Sequence, residues 1–235
     1  MNLVLLLPED LVSDSLARLT GRRFRHIVEV HRAAEGDALA IGMLGGRIGA
    51  GRVIRLGDSA LDLDISFDRD PPAPLPFTVV LALPRPKVLR RILRSLTVLG
   101  VKRIALVNAA RVEKSYWQSP FLEREEIRRQ LVLGLEQACD TVLPEVLLQP
   151  RFKPFVEDEL PGMLRDSFAI VAHPGSATAC PRDVRRPVTL AIGPEGGFVP
   201  YELDILSAYG FTAVSLGDRI LNIETAIPAL ISRLA

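Results

Sequence analysis

The chain has 235 residues, of which 48% are hydrophobic and 24% charged, the balance of a globular protein with room for one large domain or two modest ones. That composition excludes a disordered tail or a fibrous repeat, and the longest apolar runs, such as residues 77–83, fall far short of the ~20 residues a membrane span needs. Charge nearly cancels, with 29 basic against 28 acidic side chains for a net +1, which excludes a polycation that holds nucleic acid by bulk charge.

In chain order, residues 1–7 are apolar, lack a basic start and run into Glu9 and Asp10, so they read as a buried strand and not an export signal. A helix is expected over residues 21–31. Residues 37–43, 47–54 and 60–67 are short apolar segments separated by Gly45-Gly46 and Gly57-Asp58, which are hairpin signals. The first 70 residues therefore fit a small β-barrel. Four prolines (Pro71, Pro72, Pro74 and Pro76) then mark a seam, because proline cannot join a ladder or a helix and favours an extended connector.

Beyond the seam the rhythm changes to alternating strand and helix. Strands are expected at residues 77–83, 103–107, 145–148, 168–172, 188–192 and 213–216. Helices are expected at residues 87–99, 121–138, 201–209 and 224–234. Such alternation argues an α/β domain with a largely parallel sheet. Pro228 falls early in the last of these helices and is tolerable only near its first turn. Cys139 and Cys180 are too few for a disulfide framework or a zinc site, so a reducing cytoplasm is the expected location.

In open α/β sheets, ligands bind beyond the carboxyl ends of the strands. Two such ends stand out. The first, Ile192-Gly193-Pro194-Glu195-Gly196-Gly197-Phe198, carries three glycines that let the backbone approach a ligand closely and sets Glu195 among them with little bulk nearby. In the second, Leu216-Gly217-Asp218-Arg219-Ile220-Leu221 precedes Asn222-Ile223-Glu224-Thr225-Ala226. Asn222 reads as a helix cap and Glu224 as a partner of the helix dipole. The large apolar residues before them do not suit a solvated connection and read as folded inward. No P-loop, dinucleotide fingerprint, paired-histidine motif or serine elbow is present, and no metal site is expected.

Basic residues cluster twice, as Arg18, Arg22, Arg23, Arg25 and His26, and as Arg85, Lys87, Arg90, Arg91 and Arg94. A solvated helical face would explain either alone. Together they favour a surface that follows phosphates, with Arg22, Arg23, Arg25, Arg85, Lys87 and Arg90 as the candidate phosphate contacts. Of the 29 basic residues only Lys87, Lys102, Lys114 and Lys153 are lysines, and arginine suits phosphate and stacks on bases, although a GC-rich genome gives the same bias. Trp117, beside Tyr116, reads as core or dimer contact, with a stacking platform as the alternative.

The two C-terminal motifs, 191–198 and 214–226, closely resemble those of the ribosomal RNA small subunit methyltransferase E family, of the SPOUT class. His26-Ile27-Val28-Glu29-Val30-His31-Arg32, Leu99-Gly100-Val101-Lys102-Arg103-Ile104 and Glu136-Gln137-Ala138 fall in the family's order, so the resemblance covers nearly the whole chain. It implies a PUA-like β-barrel over residues 1–70 and a SPOUT domain with a deep trefoil knot over residues 71–235. It also implies a homodimer and S-adenosylmethionine bound in a bent form. The reaction it implies is methylation of uridine N3 in the 16S ribosomal RNA of the small subunit. Asn222 and Ile223 stand where the family usually has arginine and threonine. On this resemblance Ala172, His173, Gly193, Gly197, Leu216, Gly217, Ile220 and Leu221 are the expected cofactor contacts, chiefly through backbone and apolar groups. Arg219 is a candidate for stabilising a developing anion or touching phosphate, with a structural salt bridge as the alternative. Glu195 and Glu224 are candidate bases or orienting groups that could equally satisfy loop N–H groups. A non-catalytic ribosome-assembly factor that keeps the fold is the competing reading.

Overall fold

The computed structural model describes residues 2–235; Met1, counted above in the first strand, lies outside the described residues. The chain forms two compact units, one of Met1–Ala73 with Val132–Leu143 and one of Pro74–Leu131 with Pro144–Ala235.

The first unit holds β1 (Val4–Leu6), β2 (Leu11–Ser13), β3 (Leu16–Thr20), helix α1 (Gly21–His26), and strands β4 (Ala38–Met43), β5 (Ile48–Leu56) and β6 (Ala60–Arg69). They pair in the order β1-β4-β5-β6-β3-β2, antiparallel except for β1 with β4. The sheet's inward side chains follow the two-residue period: Ala17 and Leu19 on β3, and Leu61, Leu63 and Ile65 on β6, pack with Phe24 and Ile27. On the outer face Arg18 stands opposite Asp62 in register, and its Nε donates to Asp62 Oδ1 at 2.7 Å. That hydrogen bond holds the Asp62 carboxyl below its ordinary range. β2 and β3 lie in a stretch that the sequence leaves unassigned between its first strand and first helix.

Residues Val132–Leu143 complete a second apolar cluster of this unit. Leu135, with Val132, Cys139 and Leu143 beside it, packs on Leu3, Leu5 and Ile48. The Leu3 N–H donates to Glu136 O at 2.9 Å, and the Gly45 N–H to Thr141 O at 2.8 Å. The buried Glu136 carboxylate, 2% exposed, is met by Arg22 Nη2 at 2.9 Å.

Helix α1 passes into a π-helical turn, Ile27–His31, which Arg32 ends at φ 54°. There His26 packs edge-on to His31 with ring centroids 5.2 Å apart. Its Nε2 is buried with no hydrogen-bond partner among the described residues. Burial pushes the His26 pKa below its ordinary 6.5, with His31 and Arg22 adding to the effect and Glu136 opposing it. The folded state thus prefers neutral imidazole. Its contribution is present above pH 6.5 and is lost as pH falls through the unfolded value toward the folded one. Denaturant melts should therefore lose stability between pH 7.5 and about 5.5, and His26→Gln should flatten that slope. Equal slopes in the two proteins would contradict the assignment.

The second unit holds β7 (Leu75–Ala82), α2 (Pro86–Val98), β8 (Val101–Val107), α3 (Arg124–Ala138), whose residues up to Leu131 lie in this unit, β9 (Glu145–Gln149), α4 (Phe152–Pro154), α5 (Leu160–Met163), β10 (Phe168–Ala172), β11 (Val188–Ile192), α6 (Pro200–Ala208), β12 (Thr212–Val214) and α7 (Ile223–Leu234). A π-helical turn, Phe155–Glu159, joins α4 to α5. The sheet runs β12-β10-β11-β7-β8-β9 with every pair parallel. All five residues of β11 are buried, as a strand covered on both faces must be. Helix α2 turns Leu89, Ile92, Leu93 and Leu96 inward. Pro76 was expected outside the sheet, yet β7 begins at Leu75. The ladder with β8 slips between Leu75 and Thr78, and an irregularity of this kind is where a strand tolerates proline. Pro228 lies in the second turn of α7 and not the first, and the helix continues through it. No helix among the described residues is long and apolar enough to cross a membrane.

Candidate active site

The carboxyl ends of the neighbouring strands β12, β10 and β11 bring three loops together. The Ala172 register partners are Ile192 and Val214, so residues 172–174, 192–198 and 214–223 leave the sheet side by side. Between them lies a hollow of about 320 Å3 whose lining includes Ala172, Gly193, Gly197, Ile220 and Leu221. A narrower one of about 50 Å3 is lined by His173, Leu216, Gly217 and Arg219 among others, and shares Ala172 and Leu221 with the first. All eight residues expected to contact a cofactor thus border these hollows.

Local geometry explains how the loops hold their shape. Gly197 sits at φ 71°, and its N–H closes a turn on Pro194 O at 2.7 Å. A Cβ on Gly193 would stand 2.8 Å from the Phe198 nitrogen. The third loop turns at Gly217, φ 112°. Upstream, the Ser215 N–H donates to Thr178 O at 2.9 Å, and the His173 N–H to Val214 O at 2.9 Å. Asn222 Oδ1 accepts the Thr225 N–H at 2.8 Å, which makes it the cap of α7.

The charged candidates divide. Glu224 is committed to Arg91, whose Nε donates at 2.5 Å and Nη2 at 3.0 Å, tying α7 to α2. Glu195 Oε1 accepts the Arg85 N–H at 3.1 Å, just before α2 begins. Arg219 is exposed and forms no ion pair among the described residues. The arrangement can therefore grip a small molecule by main-chain and apolar contacts, with the Arg219 guanidinium at its edge.

The arginines expected to meet RNA also differ in surroundings. Arg23 is an internal strut, its guanidinium on Asp10 and on Leu5 O, because the buried Asp10 needs a counter-charge. Arg22 is spent on Glu136, and Arg90 lies 3.0 Å from Glu126 and over the Phe121 ring. Arg25 and Lys87 are exposed without ion pairs among the described residues. Arg85 is 69% exposed, 3.9 Å from Glu195.

Two residues of this region escape the sequence reading. Glu202 is 3% exposed; its Oε2 accepts the Val199 N–H at 2.9 Å and its Oε1 the Ala110 N–H at 2.7 Å. Next to Ala110, Arg111 donates from Nη1 to Gly196 O. The signal for Arg111 was the end of β8 at Val107, another carboxyl end of the same parallel sheet.

Residues 71–235 match the family model of the RNA methyltransferase domain, which sets the class. Over 96% of its length the chain is 31% identical to the ribosomal RNA small subunit methyltransferase E of Treponema pallidum, of which 87% is covered. The chain belongs to the ribosomal RNA small subunit methyltransferase E family. It is also similar to the Synechocystis enzyme of that name, at 27% identity over 93% of this chain and 72% of that one. Its fold resembles the crystal structure of the Neisseria gonorrhoeae enzyme bound to S-adenosyl methionine. The TM-score is 0.78 at 23% identity, covering 99% of this chain and 95% of the other.

Proposed function

We propose that the protein methylates N3 of a uridine in the 16S ribosomal RNA of the small subunit, with S-adenosylmethionine as methyl donor. The observation that carries this reading is the hollow among the three loops of a chain in this family. Its volume of about 320 Å3 lies within the ~300–1,000 Å3 usual for small-molecule sites. Its walls include Ala172, Gly193, Gly197 and Leu221, small or apolar residues that suit a donor held by main-chain hydrogen bonds.

The donor would supply a sulfonium methyl group for in-line displacement, a reaction that depends chiefly on positioning. Gly193, Gly197, Leu216 and Leu221 would orient it through backbone and apolar contacts, with Ala172, His173, Gly217 and Ile220 completing the walls. Arg219 would stabilise the negative charge that develops on the uracil as the N3 proton passes to solvent water. Glu195 and Glu224, already engaged with α2, would hold loop and helix in place instead of moving the proton.

A trefoil knot is part of this reading. In support, the Val184 N–H donates to Leu234 O at 2.7 Å and the Cys180 N–H to Ser215 O at 2.8 Å. The crossover from β10 to β11 thus lies against both the end of β12 and the end of α7. The mostly antiparallel sheet of the first unit supports a PUA-like RNA-binding module, with Arg25 among the exposed cations that form no ion pair among the described residues. Ile220, 84% exposed beside the hollow, favours a homodimer in which a second copy covers it. A cytoplasmic location follows from the substrate.

Titration calorimetry with S-adenosylmethionine should show saturable binding, and mass mapping of 16S RNA from a deletion strain should show one uridine that has lost its methyl group. An unchanged map with intact donor binding would favour the assembly-factor reading. No heat at millimolar donor would remove the enzyme.

A further inference from the structure

We propose that Arg111 is a phosphate contact for the substrate RNA at the rim of the active site, held there by Glu202 and by the absence of a side chain at Gly196. The proposal rests on the reading of the protein as an RNA methyltransferase and assigns part of its substrate site.

Three features converge on this side chain. The buried Glu202 carboxylate accepts the N–H of Ala110, the residue before Arg111, and the N–H of Val199, just beyond the glycine-rich loop. One group thereby fixes the loop after β8 against the loop after β11. Arg111 then lies across Gly196, where a Cβ would come within 2.9 Å of Arg111 Cδ. Its Nη1 donates to Gly196 O, which leaves the rest of the planar fork available. Finally, the side chain is exposed, and Arg111 pairs with no carboxylate among the described residues. Arg90, Arg91 and Arg103 of the same unit are each paired.

A guanidinium seated on a neutral carbonyl keeps its full charge. At the edge of a site that must receive a polyanion, it presents donors matched to phosphate oxygens. Its position on the rim, and not in the hollow, favours contact with the RNA backbone over contact with the base that is methylated. Phosphate contacts fix register on the nucleic acid, so Arg111 would align the strand with the loop that it touches.

Filter binding of 16S ribosomal RNA across a salt series tests this directly. Arg111→Met should weaken binding about 10-fold and reduce the slope of log K against log salt by about one, whereas Arg111→Lys should keep the slope. Gly196→Ala leaves every charge in place but pushes the guanidinium aside, and should weaken binding in the same direction. Donor affinity, read by calorimetry, should stay within about two-fold in both Arg111 variants, a range worth under half a kcal/mol. Unchanged RNA affinity and slope in Arg111→Met would overturn the proposal, as would a loss confined to donor affinity. RNA binding needs no turnover, so a wild-type protein that binds RNA but not the donor would defeat the methyl-transfer reading and leave the Arg111 result standing.

Discussion

Gly193→Ala should lower methyl transfer by at least about 100-fold, the scale of loss when reacting groups are misplaced by an ångström. Gly193 does not have a positive φ, so alanine fits its backbone and the effect comes from space alone. The added Cβ would meet the Phe198 nitrogen at 2.8 Å and Gly197 Cα at 3.0 Å. These are main-chain atoms of a turn closed by the Gly197 N–H on Pro194 O. Phe198, 4% exposed, anchors the far end of the turn. The obstacle is main chain, so the loop that borders the hollow must shift to relieve the clash. Donor titration and single-turnover methylation would read the loss, and wild-type donor affinity would show that this loop is not the donor's cradle.

Gly49→Ala should be the most damaging small substitution in the first unit. Its Cβ would stand 1.9 Å from Ser66 O and 2.7 Å from Phe67 Cα, so β5 and β6 could not keep their pairing where the ladder already slips between Ile48 and Gly49. Overpacking costs about 1–3 kcal/mol and more where the obstacle is backbone, and a loss of at least about 3 kcal/mol is expected here. Urea melts would measure it. Donor binding in native buffer should survive, because every residue of the proposed donor site belongs to the second unit. A melt unchanged within about 0.5 kcal/mol would contradict the prediction.

The parallel sheet was legible because strands buried on both faces read as unbroken apolar runs, as in Val188–Ile192. The three loops of the site were legible for a related reason. Glycines and inward-facing apolar residues are conspicuous in connections that ought to be polar. Other elements left weaker traces. β2 is exposed at every residue, so it has no inside to betray it. Residues 152–163 carry Pro154, Pro161 and Gly162, which suggest a loop. Pro161 nevertheless sits in the first turn of α5, where its missing N–H is no loss. Arg23 and Arg25 look alike in the sequence, and only the folded position of Asp10 separates the strut from the free cation. Glu202 and Ala110 are 92 residues apart, and no local pattern announces such a pair. The helical period of α3 runs without a break to Ala138, so nothing in it signals that its second half belongs with the N-terminal strands.

That division of α3 bears on how such proteins can recombine. A unit whose apolar filling is drawn from Leu3, Leu5 and Ile48 on one side and from Leu135 and its neighbours on the other is not a portable cassette. Exchanging only the leading 73 residues between relatives would graft one half of an interlocking set onto a foreign counterpart. Inheritance should therefore favour paired changes in the two stretches, and a chimera stands to work only when both travel together.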